Sequence, residues 1–188
     1  LRNSDLVMYD RQTESWGQQF AGEAIVGDLT GTRLEQLAAR IVSWADFRRD
    51  HPDASVLSRD TGFQRSYGQN PYAGYDDAST PPFFATANAD DDRLPPKERV
   101  VYLERGDDAV AVPYSTLRKR REVTVEIDGR TLVVRWAPGV ASALGAGSIA
   151  DGDDIGSAQV LEDGKAVPFH EPFWFSVAAF RPATKIVS

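Results

Sequence analysis

Hydrophobic and polar residues alternate most regularly in residues 122–127, where the apolar positions are Val123, Val125 and Ile127. A period of two is typical of a strand that buries one face of a sheet. Asp128-Gly129 follows, a dipeptide that favours the two-residue turn of a β-hairpin. We therefore predict that residues 122–127 pair with residues 131–136 in an antiparallel hairpin.

Short apolar runs separated by turn residues recur elsewhere in the chain. They predict further strand pairs and one single strand: 5–10 with 15–20, 100–103 with 109–112, 159–161 with 166–169, and 23–26 alone. Polar or glycine-containing turns separate the members of each pair, as in hairpins.

Helical signals are few and short. Ser43, with an acid three residues later at Asp46, resembles a capping box and predicts a helix from residue 44 to about residue 49. His51-Pro52 should end that helix, because the residue before a proline avoids helical geometry.

Three other stretches have less defined patterns. Residues 32–42 contain leucine and isoleucine at helical spacing without caps, so helix and extended chain are equally favoured. Residues 55–57 are interpreted as a short strand. The run PFWFSVAAF, residues 172–180, is predicted to be buried core as either helix or strand.

The predicted fold class is therefore mainly β with a few short helices, a β-rich α+β protein. Its antiparallel hairpins should form one compact barrel- or sandwich-like domain over residues 1–188. Residues 58–96 are rich in Gly, Pro, Asn and Asp and are predicted to be a long irregular loop. Their many aromatic residues argue against plain disorder.

The charge balance excludes some partners. The chain of 188 residues has 28 acidic and 21 basic residues, and its net charge of −7 disfavours nucleic acid and anionic lipid. The basic run Arg118-Lys119-Arg120-Arg121 is interpreted as a solvated helix end. No apolar stretch approaches the roughly 20 residues that span a bilayer, so membrane insertion is not expected.

Thiol and metal chemistry have little support. The chain has no Cys and two widely separated His, so we predict no cofactor and no bound zinc, copper or iron. The acidic clusters 76–77, 90–92 and 151–154 could offer oxygen ligands to a hard cation. They lack the spacing of an EF-hand loop, and solvated loop acids are the more common explanation.

No catalytic constellation is visible. Asp60-Thr61-Gly62 matches the aspartic protease tripeptide, but no second copy exists to form the carboxylate pair. We interpret it as an Asx-type turn after the strand at 55–57. Nucleophile elbows, phosphate loops and dinucleotide fingerprints are absent, so no catalytic residue is predicted.

The glycine-hinged stretch 67–75 is the strongest candidate for a binding site. Its Tyr, Asn and Gln side chains can offer flat amphipathic surfaces and amide hydrogen bonds to a polar ligand or a protein partner. The alternative is that these tyrosines cover a sheet edge. The candidate ligand-binding residues are Arg59, Asp60, Tyr67, Asn70, Tyr72, Tyr75 and Asp76.

Several longer phrases resemble one prokaryotic family, known as domain of unknown function 3179. They are LRNSDLVMYDRQTESW, VLSRDTGF, YGQNPYAGYDD, RLPPKERVV, VRWAPGVASAL and FWFSVAAFRPATKI. The resemblance spans almost the whole chain in the family's order. It implies no established activity.

The resemblance implies a layout of two related halves. A Cys-Pro-Leu-Cys-type segment of the first half would lie upstream of Leu1, so the chain is expected to begin within that half. A second copy of the DRQTESW-like segment is missing near Asp163, where GKAVPFHEP stands instead. Ala137-Pro138-Gly139 occupies the place where Cys would be expected.

We expect from this a non-catalytic binding or structural module of an extracytoplasmic protein. The location rests on the resemblance, because relatives are similar to secreted or lipid-anchored proteins. The alternative is a hydrolase or redox-accessory enzyme with its site at the loop 67–75.

One tertiary prediction follows from the missing copy. A two-stranded hairpin is marginally stable alone, so the N-terminal hairpin should pack on the C-terminal half of the chain. We expect Trp16 to lie near Trp136 or the aromatic run 173–180. Replacing Trp16 with Ala should then cost about 3 to 5 kcal/mol.

Overall fold

Ten strands in three separate sheets and three short α-helices form the fold in the computed structural model, which describes residues 1–188. The strands are β1 (Val7–Asp10), β2 (Ser15–Gln18), β3 (Glu23–Val26), β4 (Val100–Arg105), β5 (Asp108–Pro113), β6 (Glu122–Ile127), β7 (Arg130–Ala137), β8 (Ser157–Glu162), β9 (Lys165–Ala166) and β10 (Lys185–Ile186). The helices are α1 (Trp44–Asp50), α2 (Tyr114–Arg120) and α3 (Trp174–Phe180), and none is long and apolar enough to cross a membrane.

The sheet β10-β5-β4 is buried on both faces and forms the central layer. Along β4, Val101 and Leu103 face one hydrophobic cluster, whereas Val100 and Tyr102 face a second. The first cluster lies between this sheet and the four-stranded sheet β6-β7-β8-β9. The second is closed by α3, so alternate residues of one strand join two parts of the core.

The predicted hairpin of residues 122–136 is confirmed. β6 pairs antiparallel with β7, Ile127 lies opposite Arg130, and the three alternating apolar residues of β6 are all buried. Asp128 and Gly129 have φ of 49° and 67°, the left-handed geometry of the favoured hairpin turn. The hairpins β1–β2, β4–β5 and β8–β9 were predicted as well.

The predicted helix at residue 44 is also confirmed. The Ser43 hydroxyl accepts a hydrogen bond from the Asp46 amide, and the helix ends at Asp50, before Pro52. The run 172–180 resolves to a helix, α3, which is mostly buried.

The predicted fold class, mainly β with a few short helices, is confirmed. The sheets do not close into a barrel, and β10 adds a parallel pairing with β5 to the antiparallel hairpins. One local prediction is wrong. Residues 55–57 form no strand, and the turn that follows uses the Ser58 hydroxyl, which accepts from the Asp60 amide at 3.0 Å. Residues 34–42, for which helix and extended chain were equally favoured, carry neither helix nor strand, and residues 34–41 lie exposed.

The N-terminal segment does pack on the C-terminal half, through a different aromatic residue from the one predicted. Trp16 is 44% exposed and contacts Tyr9, with ring centroids 5.1 Å apart. Phe20 is 7% exposed and packs against Phe180 of α3. Trp16 lies on the open face of the twisted N-terminal sheet, whereas Phe20 follows β2 where the chain turns toward the core.

Candidate functional site

The stretch 67–75 is held to a second loop by backbone hydrogen bonds. Its partner is the loop 144–149, and the donor–acceptor pairs are Asn70 to Gly147 (2.8 Å), Gly74 to Gly145 (2.6 Å), Tyr75 to Leu144 (3.1 Å) and Ile149 to Gly68 (3.0 Å). Two irregular segments therefore support each other in the manner of a short ladder. This positions the residues that follow Tyr75 beside the core.

Asn70 fastens this pairing with its side chain. Its amide Nδ2 donates to the Ala146 carbonyl at 3.0 Å, and its Oδ1 accepts from the Tyr72 amide at 2.7 Å. The residue is 9% exposed, so both bonds are shielded from water. Asn70 is therefore a structural residue of the loop and has little polar capacity left for a ligand.

A large polar cleft opens where this loop pair meets α2. Its volume is about 1080 Å³, and only five of its 18 lining residues are hydrophobic. The walls come from the loop end 74–78, the segment 97–99 before β4, the exposed side of α2, and the loop 145–155. Phe173, just before α3, supplies an aromatic surface in the lining.

Most acidic side chains of the cleft already serve the fold. The Asp154 carboxylate accepts backbone N–H bonds from Gly139, Val140 and Gly156 at 2.8 to 3.1 Å, which lowers its pKa. Three more acids accept protein donors: Glu98 from the Ser115 amide, Asp76 from the Ser142 hydroxyl, and Asp77 from the Ser79 amide and hydroxyl. Only Asp151 and Asp153 among the lining acids have carboxylates without a hydrogen bond.

The four basic residues of the cleft have no ion-pair partner. They are Lys97, Arg99, Arg118 and Lys119, and none takes part in the nine ion pairs of the chain. The Arg118 guanidinium donates to the Asp154 carbonyl at 2.9 Å, which fixes it beside the loop 145–155. The cleft therefore presents positive groups whose charge is not paired within the protein.

Lys97 is buried at the loop end of the cleft. It is 4% exposed, its Nζ donates to the Thr80 hydroxyl at 2.8 Å, and the ammonium lies 4.0 Å from the centroid of the Tyr75 ring. Burial lowers the pKa of Lys97, against the opposing influence of the nearby Asp76 and Asp77 carboxylates. The cation–π contact and the hydroxyl partly replace the water that the ammonium has lost.

A buried acid lies behind the cleft wall. The Tyr114 hydroxyl donates to the Glu171 carboxylate, and burial raises the pKa of both groups. The positive charge of Arg99 lowers the pKa of Glu171 in part. Glu171 is engaged by Tyr114 and forms no ion pair with Arg99.

The structure separates the seven predicted site residues into two groups. Asp76 lines the cleft, and Asn70 and Tyr75 support it from behind. The other four neither line the cleft nor contact its lining through these bonds: Arg59, Asp60, Tyr67 and Tyr72. The Tyr67 hydroxyl is 3.1 Å from that of Thr61, and the Tyr72 ring packs beside Phe83 with centroids 6.5 Å apart.

Sequence reasoning missed the cationic part of the cleft. The basic run at residues 118–121 does form the end of α2 as predicted, but Arg118 and Lys119 also line the cleft. Arg99 and Lys97 lie in the phrase RLPPKERVV, which carries no chemical motif. The one signal for these cations was the alternation of basic and acidic residues in Lys97-Glu98-Arg99.

The acidic clusters do not converge on a cation site. No group of three His, Asp or Glu side chains in the chain is arranged to hold a metal ion. The carboxylates of Asp76, Asp77 and Asp154 accept instead from backbone amides and hydroxyls, and Asp91 pairs with Arg93.

These features define a cysteine-free, mainly β domain with a polar cleft at its loop-rich side. The chain belongs to the family described as protein of unknown function (DUF3179), which it matches over residues 1–184. Searches of curated proteins and of solved structures found no similar protein.

Proposed function

We propose that this chain is a non-catalytic binding module that holds a polar ligand in the cleft between the loop end 74–78, α2 and the loop 145–155. The observation that carries the proposal is the cleft itself, about 1080 Å³ in volume and lined mainly by polar residues. Ligand sites are concave and use a few well-placed polar groups to fix orientation. The loop pair 67–75 and 144–149 holds one wall in place, as a binding site requires.

The state of the cleft acids favours binding over hydrolysis. A general acid or base must be held in reach of the substrate with a free carboxyl group, whereas Asp154 and Glu98 are occupied by backbone amides. Asp151 and Asp153 have free carboxylates, but they are exposed and no hydrogen bond orients them. The Ser142 hydroxyl, which donates to Asp76, is 1% exposed and out of reach of a substrate. The alternative of a hydrolase or redox-accessory enzyme at the loop 67–75 has no comparable support.

Chemical-shift mapping tests the binding function. The ¹⁵N-labelled chain is titrated with a panel of single polar compounds: amino acids, short peptides, hexoses, hexuronic acids and sugar phosphates. We expect at least one compound to shift amides of the residues 74–78, 97–99, 114–119 and 151–155 saturably. Shifts confined to other surfaces, or no saturable shift with any compound, would contradict the proposal, and turnover of a panel compound would favour the enzyme.

The cellular location is a separate part of the proposal. We infer that the chain belongs to an extracytoplasmic prokaryotic protein, on the likeness of its phrases to secreted or lipid-anchored relatives. A cysteine-free chain is compatible with an oxidising compartment. Fractionation of cells that encode it, followed by immunodetection, should recover the protein outside the cytoplasm; recovery with cytoplasmic markers would overturn this inference.

A further inference from the structure

We propose that the cleft recognises its ligand through an anionic group, a carboxylate or a phosphate, that pairs with Arg99. This inference rests on the binding function proposed above and names the chemical class of the ligand.

Arg99 is held in place without using its guanidinium donors. Its backbone pairs with Phe173 in an isolated bridge and accepts from the Tyr114 amide at 2.9 Å. The guanidinium carbon lies 5.1 Å from the centroid of the Phe173 ring. Stacking on an aromatic face restrains the plane of a guanidinium and leaves its N–H edge free, which suits bidentate pairing with a carboxylate or phosphate.

Arg99 has no direct ion-pair partner within the protein, and its charge acts on the buried Glu171 only from a distance. The side chain is half-buried, makes no hydrogen bond and forms no ion pair. The nearest acids are otherwise engaged, because Glu98 accepts from the Ser115 amide and Glu171 accepts from the Tyr114 hydroxyl. Partial burial of an unpaired cation is unfavourable, and an anionic ligand would relieve that cost.

The remaining charges limit how much negative charge the ligand can carry. Arg118 and Lys119 on α2 add positive charge to the same cleft, but the unengaged carboxylates of Asp151 and Asp153 lie in the loop that Arg118 contacts. A ligand with one anionic group and an otherwise neutral polar body fits this distribution. The anionic group pairs with Arg99, and hydroxyl or amide groups face the loop acids.

Matched sugars separate the anionic group from the polar body. D-Glucuronate carries a carboxylate, glucose 6-phosphate carries a phosphate, and glucose carries neither. Titration calorimetry of the full chain at constant ionic strength should give saturable binding of at least one anionic sugar, about tenfold or more tighter than glucose, as expected for charge-assisted bidentate bonds. The preferred anionic sugar shows whether the cleft reads a carboxylate or a phosphate.

Arg99→Gln is the decisive variant, and Arg135→Gln is its control. Arg135 is an exposed arginine of β7 outside the cleft, so its loss changes the net charge equally. We expect Arg99→Gln to weaken the anionic sugar about tenfold, Arg99→Lys to restore part of the loss, and Arg135→Gln to change binding less than about twofold. Lys119→Gln, which alters an exposed side chain that forms no hydrogen bond or ion pair, should weaken it about twofold and keeps the test valid if Arg99→Gln unfolds.

The outcomes distinguish the two proposals. Equal binding of glucose and the anionic sugars in the cleft, or full affinity in Arg99→Gln, would overturn the anionic inference and leave the binding function standing. Failure of every compound in the wider panel to shift the cleft amides would overturn both.

Discussion

Phe20 stacks on Phe180 with ring centroids 5.1 Å apart and an angle of 15° between the ring planes. Phe20 follows β2 and Phe180 ends α3, so the pair joins the first and last parts of the chain. Tyr102 of the central sheet lies 5.4 Å from Phe20 and completes the contact. The N-terminal sheet is thereby fixed to the layer that also carries the cleft residues 97–99.

The first prediction concerns this aromatic contact. Phe20→Ala should cost about 3 to 5 kcal/mol in unfolding free energy, because a buried ring is removed and a cavity remains. Trp16→Ala, in the same hairpin, should cost about 1 kcal/mol or less, since its ring is largely exposed. Urea denaturation of both variants checks this; a Trp16→Ala loss equal to that of Phe20→Ala would contradict the structure.

Gly156 allows the second prediction. Its φ is +69°, and a Cβ there would lie 2.2 Å from Cε2 of Trp136, a buried ring of β7. Gly156→Ala should therefore destabilise the chain by about 3 kcal/mol, from overpacking and left-handed strain together. Gly164→Ala, at φ +77° in open space, should cost only about 1 kcal/mol of backbone strain. Equal thermal shifts in the two variants would refute the role of Trp136.

Asp5 predicts a pH dependence of stability. Its carboxylate accepts from the Ser176 hydroxyl at 2.9 to 3.0 Å, and burial raises its pKa to about 6, partly offset by that hydroxyl. In the unfolded chain the pKa is about 3.9. The folded state thus holds the proton more tightly, so this contribution to stability is complete below about pH 4 and is lost as pH rises through 6.

Asp5→Asn should therefore melt at a higher temperature than the parent chain at pH 8, with the gap closing toward pH 4. Asp10→Asn is the opposite case, because the Thr13 hydroxyl lowers the pKa of Asp10. In the parent chain the Asp10 carboxylate therefore stabilises the fold at neutral pH, and this stabilisation is lost as pH falls. Because the loss for Asp10 falls below about pH 4, melting curves from pH 2 to 8 are needed to check both signs. A gap for Asp5→Asn that widens between pH 8 and pH 4 would show that Asp5 is not protonated in the fold.

The two unengaged loop acids provide a further test of the cleft. The double variant Asp151→Asn/Asp153→Asn should bind the preferred anionic sugar, D-glucuronate or glucose 6-phosphate, about two- to threefold more tightly, because two like charges are removed beside the ligand. The gain should shrink as salt is added. Asp90→Asn/Asp92→Asn makes the same change in net charge outside the cleft lining and should leave affinity unchanged. Identical gains in both variants would mean that only total charge matters.

The local elements could be predicted from sequence where side chains and turns agree. Alternation at residues 123–127 with Asp128-Gly129 specifies a hairpin without reference to the rest of the chain, and Ser43 with Asp46 specifies a helix start. The parallel pairing of β10 with β5 could not be read in this way. It is a long-range contact of two residues, Lys185 and Ile186, and no local pattern encodes its partner.

The candidate site could be predicted from the sequence only in part, for a related reason. Asp76 lies at one wall, with Tyr75 behind it, because the loop 67–75 pairs with the loop 144–149, a contact between two irregular segments with no periodic signal. Arg99 and Arg118 line the same cleft only after β4, β5 and α2 have folded. Trp16 and Phe20 both belong to the predicted hairpin, and the direction of the chain after β2 decides that the Phe20 ring is the buried one.

Lysine protection tests the central claim most directly, because the four lysines of the chain divide between the cleft and other surfaces. Lys97 and Lys119 line the cleft, whereas Lys165 on β9 and Lys185 on β10 do not. Acetylation rates are measured by mass spectrometry without ligand and with saturating glucose 6-phosphate or D-glucuronate, whichever calorimetry shows to bind more tightly. The cleft account predicts slower acetylation of Lys119, and of the already slow Lys97, with Lys165 and Lys185 unchanged; equal rates at Lys119 with and without bound ligand would contradict it.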